Sequence, residues 1–363
     1  MASNKNQHFV PRCYLKPFTL DGAGAAINLF NIDCFRSIKG APVKNQCSRD
    51  YFYGEDLRLE QALQSTEGAY AQGLSAILRP GYCLSDEHRK LLRRFWLLQH
   101  LRTEAASRRT VEMFAGMEAT VGSPVENLRP SVREAIQMAM RTFATEMDII
   151  DDLKVCLIRN RTTVPFVTSD DPAIMTNRWY MEDRRTIGRS PGLHSSGALI
   201  LLPLSPKVLC IAYDGDVYSV PHVGGWVEVK RERDIQAFNQ HQYFNCRANI
   251  YFRDWDHYQQ VEADFNSVTP LRPKARHRVI YSVFDRNEDG AEVFRVVDRN
   301  AVGDHQRALI HTQTVFAKPS RWPTQVTWRV NGAVYTNGTG VGYVRDGSIH
   351  RLQSHGFRRE PAH

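Results

Sequence analysis

Four polar side chains stand out as candidates for chemistry: His8, Glu67, Arg102 and Asp170. Arg102 is the most informative. It shares a predicted helix with Leu91, Phe95 and Leu98, and at about 100° per residue it falls near the middle of the apolar stripe they define. A guanidinium turned toward a core needs a carboxylate or several acceptors, because a lone buried charge is costly. Gln99 falls at the edge of the same stripe and is a candidate substrate contact. Glu67 is a natural partner for Arg102. It lies seven residues after Glu60, so the two share a helix face at the border of its apolar stripe. Paired acids in such a place suit metal binding or acid–base work. His8 sits in a short segment whose backbone is fixed by Pro11 and Pro17, and a histidine held that way suits a general base or a metal ligand. Asp170 and Asp171 follow an apolar run and precede Pro172, where strand-end carboxylates often line sites. Asn239, on a late helix, is a weaker candidate of the same kind.

Each has a plainer alternative. Arg102 and Glu67 can be a salt bridge locking helix to helix. Glu60 can be a solvated flank, His8 a capping or core-bonded histidine, and Asp170 a turn former before proline.

These side chains must be positioned by three helices and a set of strands. The first helix is predicted from about Glu55 to Leu78, the second from an N-cap at Ser85 to about Arg109. The third begins at the capping box Ser131-Val132-Arg133-Glu134. Strand-like runs precede them at Ala26–Ile32 and Asp50–Tyr53. After Lys154 the pattern turns to strands: Val155–Ile158, Val164–Val167, a strongly apolar Ala198–Leu204, and a hairpin of Val208–Tyr213 with Val217–Val220 across Asp214-Gly215. A helix is expected from about Asp234 to Tyr251. Pro270–Lys274 reads as a linker. Beyond it, Asn331-Gly332, Asn337-Gly338 and Asp346-Gly347 separate short strand-like runs as in a meander. The expected fold class is therefore α+β: a helical and small mixed-sheet core over residues 1–270, with a separable β-rich extension over 275–363.

Composition narrows the function classes. The 363 residues are 42% hydrophobic and 24% charged, an ordinary globular balance. No stretch approaches the roughly 18 consecutive apolar residues of a membrane span. The polar Met1–Phe9 lacks the apolar core of a secretory leader, so the expected address is the cytoplasm. Seven scattered cysteines, none spaced C-x-x-C, argue against a disulfide framework and a cysteine zinc site. A net charge of +8 favours acidic partners, either an anionic small molecule or nucleic acid. Phosphate-loop, dinucleotide and nucleophile-elbow motifs are absent.

Four stretches together resemble the bacterial family catalogued as domain of unknown function forty-two thirty-eight (DUF4238). They are Asn6-Gln7-His8-Phe9-Val10-Pro11-Arg12-Cys13-Tyr14-Leu15, Gln99-His100-Leu101-Arg102-Thr103, Thr168-Ser169-Asp170-Asp171-Pro172 and Leu202-Pro203-Leu204-Ser205-Pro206. The resemblance covers about residues 4 to 255. Cys13 and Asp171 depart from its usual pattern, and it implies a grouping and no activity.

The leading expectation is a hydrolase acting on a phosphodiester or other anionic substrate, with a divalent metal as an optional cofactor. His8 would be base or ligand, Glu67 and Asp170 would hold metal or water, and Arg102 would bind the anion. The alternative is a non-catalytic binding module in which the same residues form a structural network. Exposure discriminates: an open pocket favours catalysis, a sealed and paired cluster favours the network.

Overall fold

A computed structural model describes residues 5–55, 57–122, 129–288, 290–303 and 307–363. Residues 1–4, part of the stretch read as lacking a leader, lie outside them. The long helices, in chain order, are α1 (Leu57–Ile77), α2 (Asp86–Arg102), α3 (Glu104–Val121), α4 (Val132–Glu146), α5 (Glu232–Asn245) and α6 (Tyr258–Val268). The chain is an α+β protein, as its patterning predicts.

α1 buries Leu63, Tyr70, Leu74 and Ile77, spaced to lie on one helical face. α2 starts where expected: the Ser85 side chain accepts from His88 N at 3.2 Å, with Asp86 and Glu87 in the first turn. It does not continue to Arg109. Thr103 is extended (φ −72°, ψ 156°) and caps a new helix by accepting from Ala106 N at 3.1 Å. Its hydroxyl also donates to Asp171 Oδ1 at 2.7 Å. One apolar periodicity thus spans two helices, broken by a threonine held from across the fold. The capping box at Ser131 and Glu134 forms as read.

A five-stranded sheet runs in the order Trp226–Val229, Lys154–Asn160, Val208–Tyr213, Leu199–Ser205, Ile174–Thr176; Trp226–Val229 is parallel to its neighbour and the other pairs are antiparallel. Alternate residues serve opposite faces. Val155, Leu157, Ile200 and Leu202 pack with Leu92, Phe95 and Ile136 of the helices, while Cys156, Ile158, Leu199 and Leu201 pack with Ile235, Phe238 and Trp179. Both faces being covered is why Leu199–Ser205 reads as one unbroken apolar run. A four-stranded sheet runs in the order Arg36–Pro42, Ala26–Asn31, Asn249–Phe252, Thr168–Ser169, and Asp170 follows its edge strand.

Two local readings are corrected. Val217–Val220 does not fold back on Val208–Tyr213; Tyr218–Ser219 pairs with Thr327–Trp328. The Asp214 carboxylate accepts from Gly197 N at 2.7 Å and Asp216 N at 2.9 Å, which ties that turn to a different segment. Nor does the late helix reach Tyr251. It ends at Asn245, and Asn249–Phe252 is a strand.

The chain changes character at Pro270–Lys274 as expected: a short turn ends at Leu271 and a strand begins at His277. That strand, His277–Glu288, is flanked by Ala291–Val296 and Ala308–Thr314. A second sheet places Ala333–Thr336 between Tyr343–Val344 and Arg358–Pro361. Asn337-Gly338 makes the expected hairpin, with Gly338 at φ +79°. Asn331-Gly332 instead joins strands of different sheets. The break is one of secondary structure and not of packing. Val326, Val334 and Ala362 are buried against Trp179 and Tyr218. Trp179 Nε1 donates to Ala362 O at 2.8 Å, and Arg345, 2% exposed, pairs with Asp152 at 2.7 Å. No helix among the described residues is long and apolar enough to cross a membrane.

With this packing, the separability expected from the sequence becomes a matter for truncation. Truncation after Ser267 strips the cover from the Trp179 face, so the shortened chain should lose its cooperative thermal transition in circular dichroism. A truncated chain melting cooperatively at the full-length midpoint would contradict this account.

Candidate functional site

Arg102 is 1% exposed. Its Nη2 donates to Glu67 Oε1 and to His8 O, each at 2.8 Å, and its Nε donates to Tyr53 Oη at 2.8 Å. Tyr53 in turn donates to His8 O at 3.2 Å. Gln7, fully buried, accepts from Tyr53 N at 2.7 Å and donates to Gly54 O at 3.1 Å. The opening strand, the turn at 51–54, α1 and α2 are therefore stitched through one guanidinium. The predicted ion pair is present. His8 contributes its carbonyl, while its half-buried imidazole is held below the usual range by burial and then by Arg12. Gln99 sits about one turn before Arg102, with neither amide atom partnered among the described residues; His8 Nε2 and Arg102 Nη1 are likewise unpartnered. Glu60 is pushed up by burial and then by Glu67.

Asp170 does not join this cluster. Its carboxylate accepts from the backbone N–H groups of Arg247, Ala248 and Asn249 at 2.9, 2.7 and 3.2 Å. Burial nonetheless raises it to about 6. The carboxylate shapes the chain between α5 and the strand that follows, which accounts for the helix stopping short of Tyr251. Asn239 is also a clamp: it accepts from Val167 N at 3.2 Å and donates to Pro165 O at 2.9 Å. Among the described residues no group of three or more His, Cys, Asp or Glu is placed to hold a metal ion, so the donor set does not favour the metal option.

Sequence reasoning missed a cavity of about 320 Å³ between α3, α5, the strand Ile174–Thr176 and the tail strand His277–Glu288. Its polar lining includes Arg109, Arg276, His100, His241, His277 and Asn245. Arg109 pairs with the fully buried Asp171, which also accepts from Thr103 at 2.7 Å and from Asn245 at 2.8 Å. Arg276 has no carboxylate at ion-pair distance among the described residues. It donates to the carbonyls of Phe244 and Asn245, and burial, then Arg109, pushes it down to about 10. Thr176 Oγ1 and His241 Nε2 are buried in the wall without partners among the described residues. Burial alone takes His241 to about 4, so its ring is neutral at ordinary pH. No spacing announces this site, because its parts come from six separate stretches of chain and two of them lie beyond residue 270.

An α+β core whose distant polar segments interlock is the class of protein defined here. Tyr14 and Thr168 hydroxyls meet at 2.8 Å, Thr103 meets Asp171, Arg102 meets His8, and Trp96 Nε1 donates to Ile174 O and Leu201 O at 3.1 and 3.2 Å. The family model for DUF4238, described as a protein of unknown function, matches residues 6–256, and the chain belongs to that family. No curated protein and no solved structure matches it. The family match ends before Arg276 and His277, so part of the cavity wall lies outside it.

Two outcomes follow. Arg102→Ala should destabilise by about 3–5 kcal/mol in chemical denaturation, since it strands acceptors that Arg102 satisfies, and Arg102→Met with Glu67→Leu should recover much of this. A single variant of wild-type stability would refute the interlock. The pH dependence has a definite sign. His241 is depressed in the folded state, so the unfolded chain binds the extra proton between its usual 6.5 and about 4. The contribution is complete above 6.5 and is lost as pH falls, up to about 3 kcal/mol. His241→Leu should flatten this decline relative to the wild type; identical pH–stability profiles would exclude it.

Proposed function

We propose that this chain is a binding module for a small oxyanion-bearing molecule, held in the cavity lined by Arg109 and Arg276. The observation that carries the reading is Arg276: a half-buried guanidinium, facing a cavity, with no carboxylate partner among the described residues. A cation in a desolvated place attracts an anion strongly, and a guanidinium presents the fork geometry that carboxylate and phosphate oxygens match. Thr176 Oγ1 and His241 add unpartnered polar atoms, while Phe244, Met113 and Phe316 give the cavity an apolar share of wall. The volume falls at the lower end of the range of small-molecule sites.

The hydrolase reading needs His8, Glu67, Arg102 and Asp170 to act together. Arg102 and Asp170 instead belong to separate hydrogen-bond sets, which supports the network alternative. A cytoplasmic setting belongs to the proposal and is supported by the seven cysteines being free thiols. Nucleic acid is the lesser partner, favoured by net charge alone.

Calorimetric titration with inorganic phosphate and with citrate should show binding that weakens about tenfold or more in Arg276→Gln, at unchanged melting temperature of the unliganded protein. No binding of either anion would remove the proposal. Hydrolysis of bis(p-nitrophenyl) phosphate that Glu67→Gln abolishes would favour the hydrolase instead.

A further inference from the structure

A second cavity, of about 480 Å³, shares Pro191, Thr314, Val315 and Phe316 with the first as common wall. Ser190 Oγ donates to Thr314 O at 2.7 Å and fixes that shared rim. The charged residues lining the second cavity are Arg189 and Arg278, both exposed, and no carboxylate lines it among the described residues. Arg189 reaches the Thr339 carbonyl at 3.5 Å. Arg278 donates to Gly188 O at 3.2 Å and to Gln313 Oε1 at 2.5 Å. Neither has a carboxylate at ion-pair distance among the described residues. Across the two cavities, four guanidinium groups line the walls and no carboxylate does so among the described residues; Asp171, behind Arg109, is already engaged by Arg109, Thr103 and Asn245. Like charges gathered around a concavity repel one another, and a ligand of opposite sign relieves this.

We infer that the ligand is elongated and carries several oxyanion groups along its length, of the polyphosphate class, for which ATP serves as a probe. One group lies at Arg276 and Arg109, another at Arg189 and Arg278. Phe316, half-buried in the wall common to both cavities, adds apolar surface between them. This rests on the binding reading above and extends it: a single small anion fills one cavity and leaves the second pair of arginines unused. It also gives the C-terminal segment a role, since Arg276, Arg278 and the 314–316 wall all lie beyond the family match at 256.

The test is calorimetric titration of the full chain with inorganic phosphate, AMP and ATP at low and physiological salt. ATP should bind at least about tenfold tighter than phosphate, with the larger salt dependence. The double variant Arg189→Gln, Arg278→Gln should bring ATP down to the affinity of AMP and leave phosphate binding unchanged. Both residues are exposed, and a wild-type melting curve checks that the variant is folded. Arg276→Gln should weaken all three. Should the double variant bind ATP like the wild type while Arg276→Gln still loses phosphate, the two-group inference fails and the binding reading stands. Binding of none of the three probes by the wild type overturns both. A single-stranded oligonucleotide that binds tighter than ATP through the same arginines overturns the small-molecule class.

Discussion

A buried guanidinium constrains everything around it, because its donors must find acceptors where water does not reach. Arg102 meets that demand from three directions through Nε and Nη2, while its Nη1 has no partner among the described residues. Glu67 comes from α1, Tyr53 from the turn after the Ser48–Asp50 strand, and the His8 carbonyl from the opening strand. None of the three elements is held there by helix or strand propensity. The opening strand is three residues long and pairs with another of three, so its placement depends on Arg102 and on Gln7. The side chains that look most like chemistry in the sequence are those that fix where the chain begins.

The Thr168–Pro172 stretch repeats this logic with carboxylates. Adjacent residues serve different sets of contacts. Asp170 gathers three backbone N–H groups after α5, and Asp171 holds Thr103, Arg109 and Asn245. Through Thr103 it sets the break between α2 and α3. Through Arg109 and Asn245 it anchors the wall of the cationic cavity. Asp171 thus links the helix break to the wall of the cavity, whereas Asp170 bonds only to backbone N–H groups among the hydrogen bonds described. Arg276 differs from all of these. It is supplied by the tail, and its bonds go to carbonyls, with no carboxylate at ion-pair distance among the described residues.

Much of this was legible in the sequence, and the reasons for the rest are physical. The Arg102–Glu67 pair could be read because a charge in the middle of an apolar stripe has few outcomes. The capping box at Ser131 and the hairpin at Asn337-Gly338 are local and were equally readable. The helix break at Thr103 was not, because the apolar period runs on past it and the hydroxyl that turns the chain is held by Asp171, 68 residues away. The pairing of Tyr218–Ser219 with Thr327–Trp328 was hidden for the same reason. The cavity was least visible: His241 and Arg276 have no informative neighbours in sequence, and their meeting depends on the tail packing back against α3 and α5.

The interlock at Arg102 and the proposed ligand site at Arg109 and Arg276 are separate clusters. Anomalous diffraction from crystals soaked in selenate tests that separation directly. Selenium density within hydrogen-bond distance of Arg276, with none at Arg102, is the predicted result. Density beside Arg102 and His8, with the Arg276 cavity empty at the same selenate concentration, would contradict it.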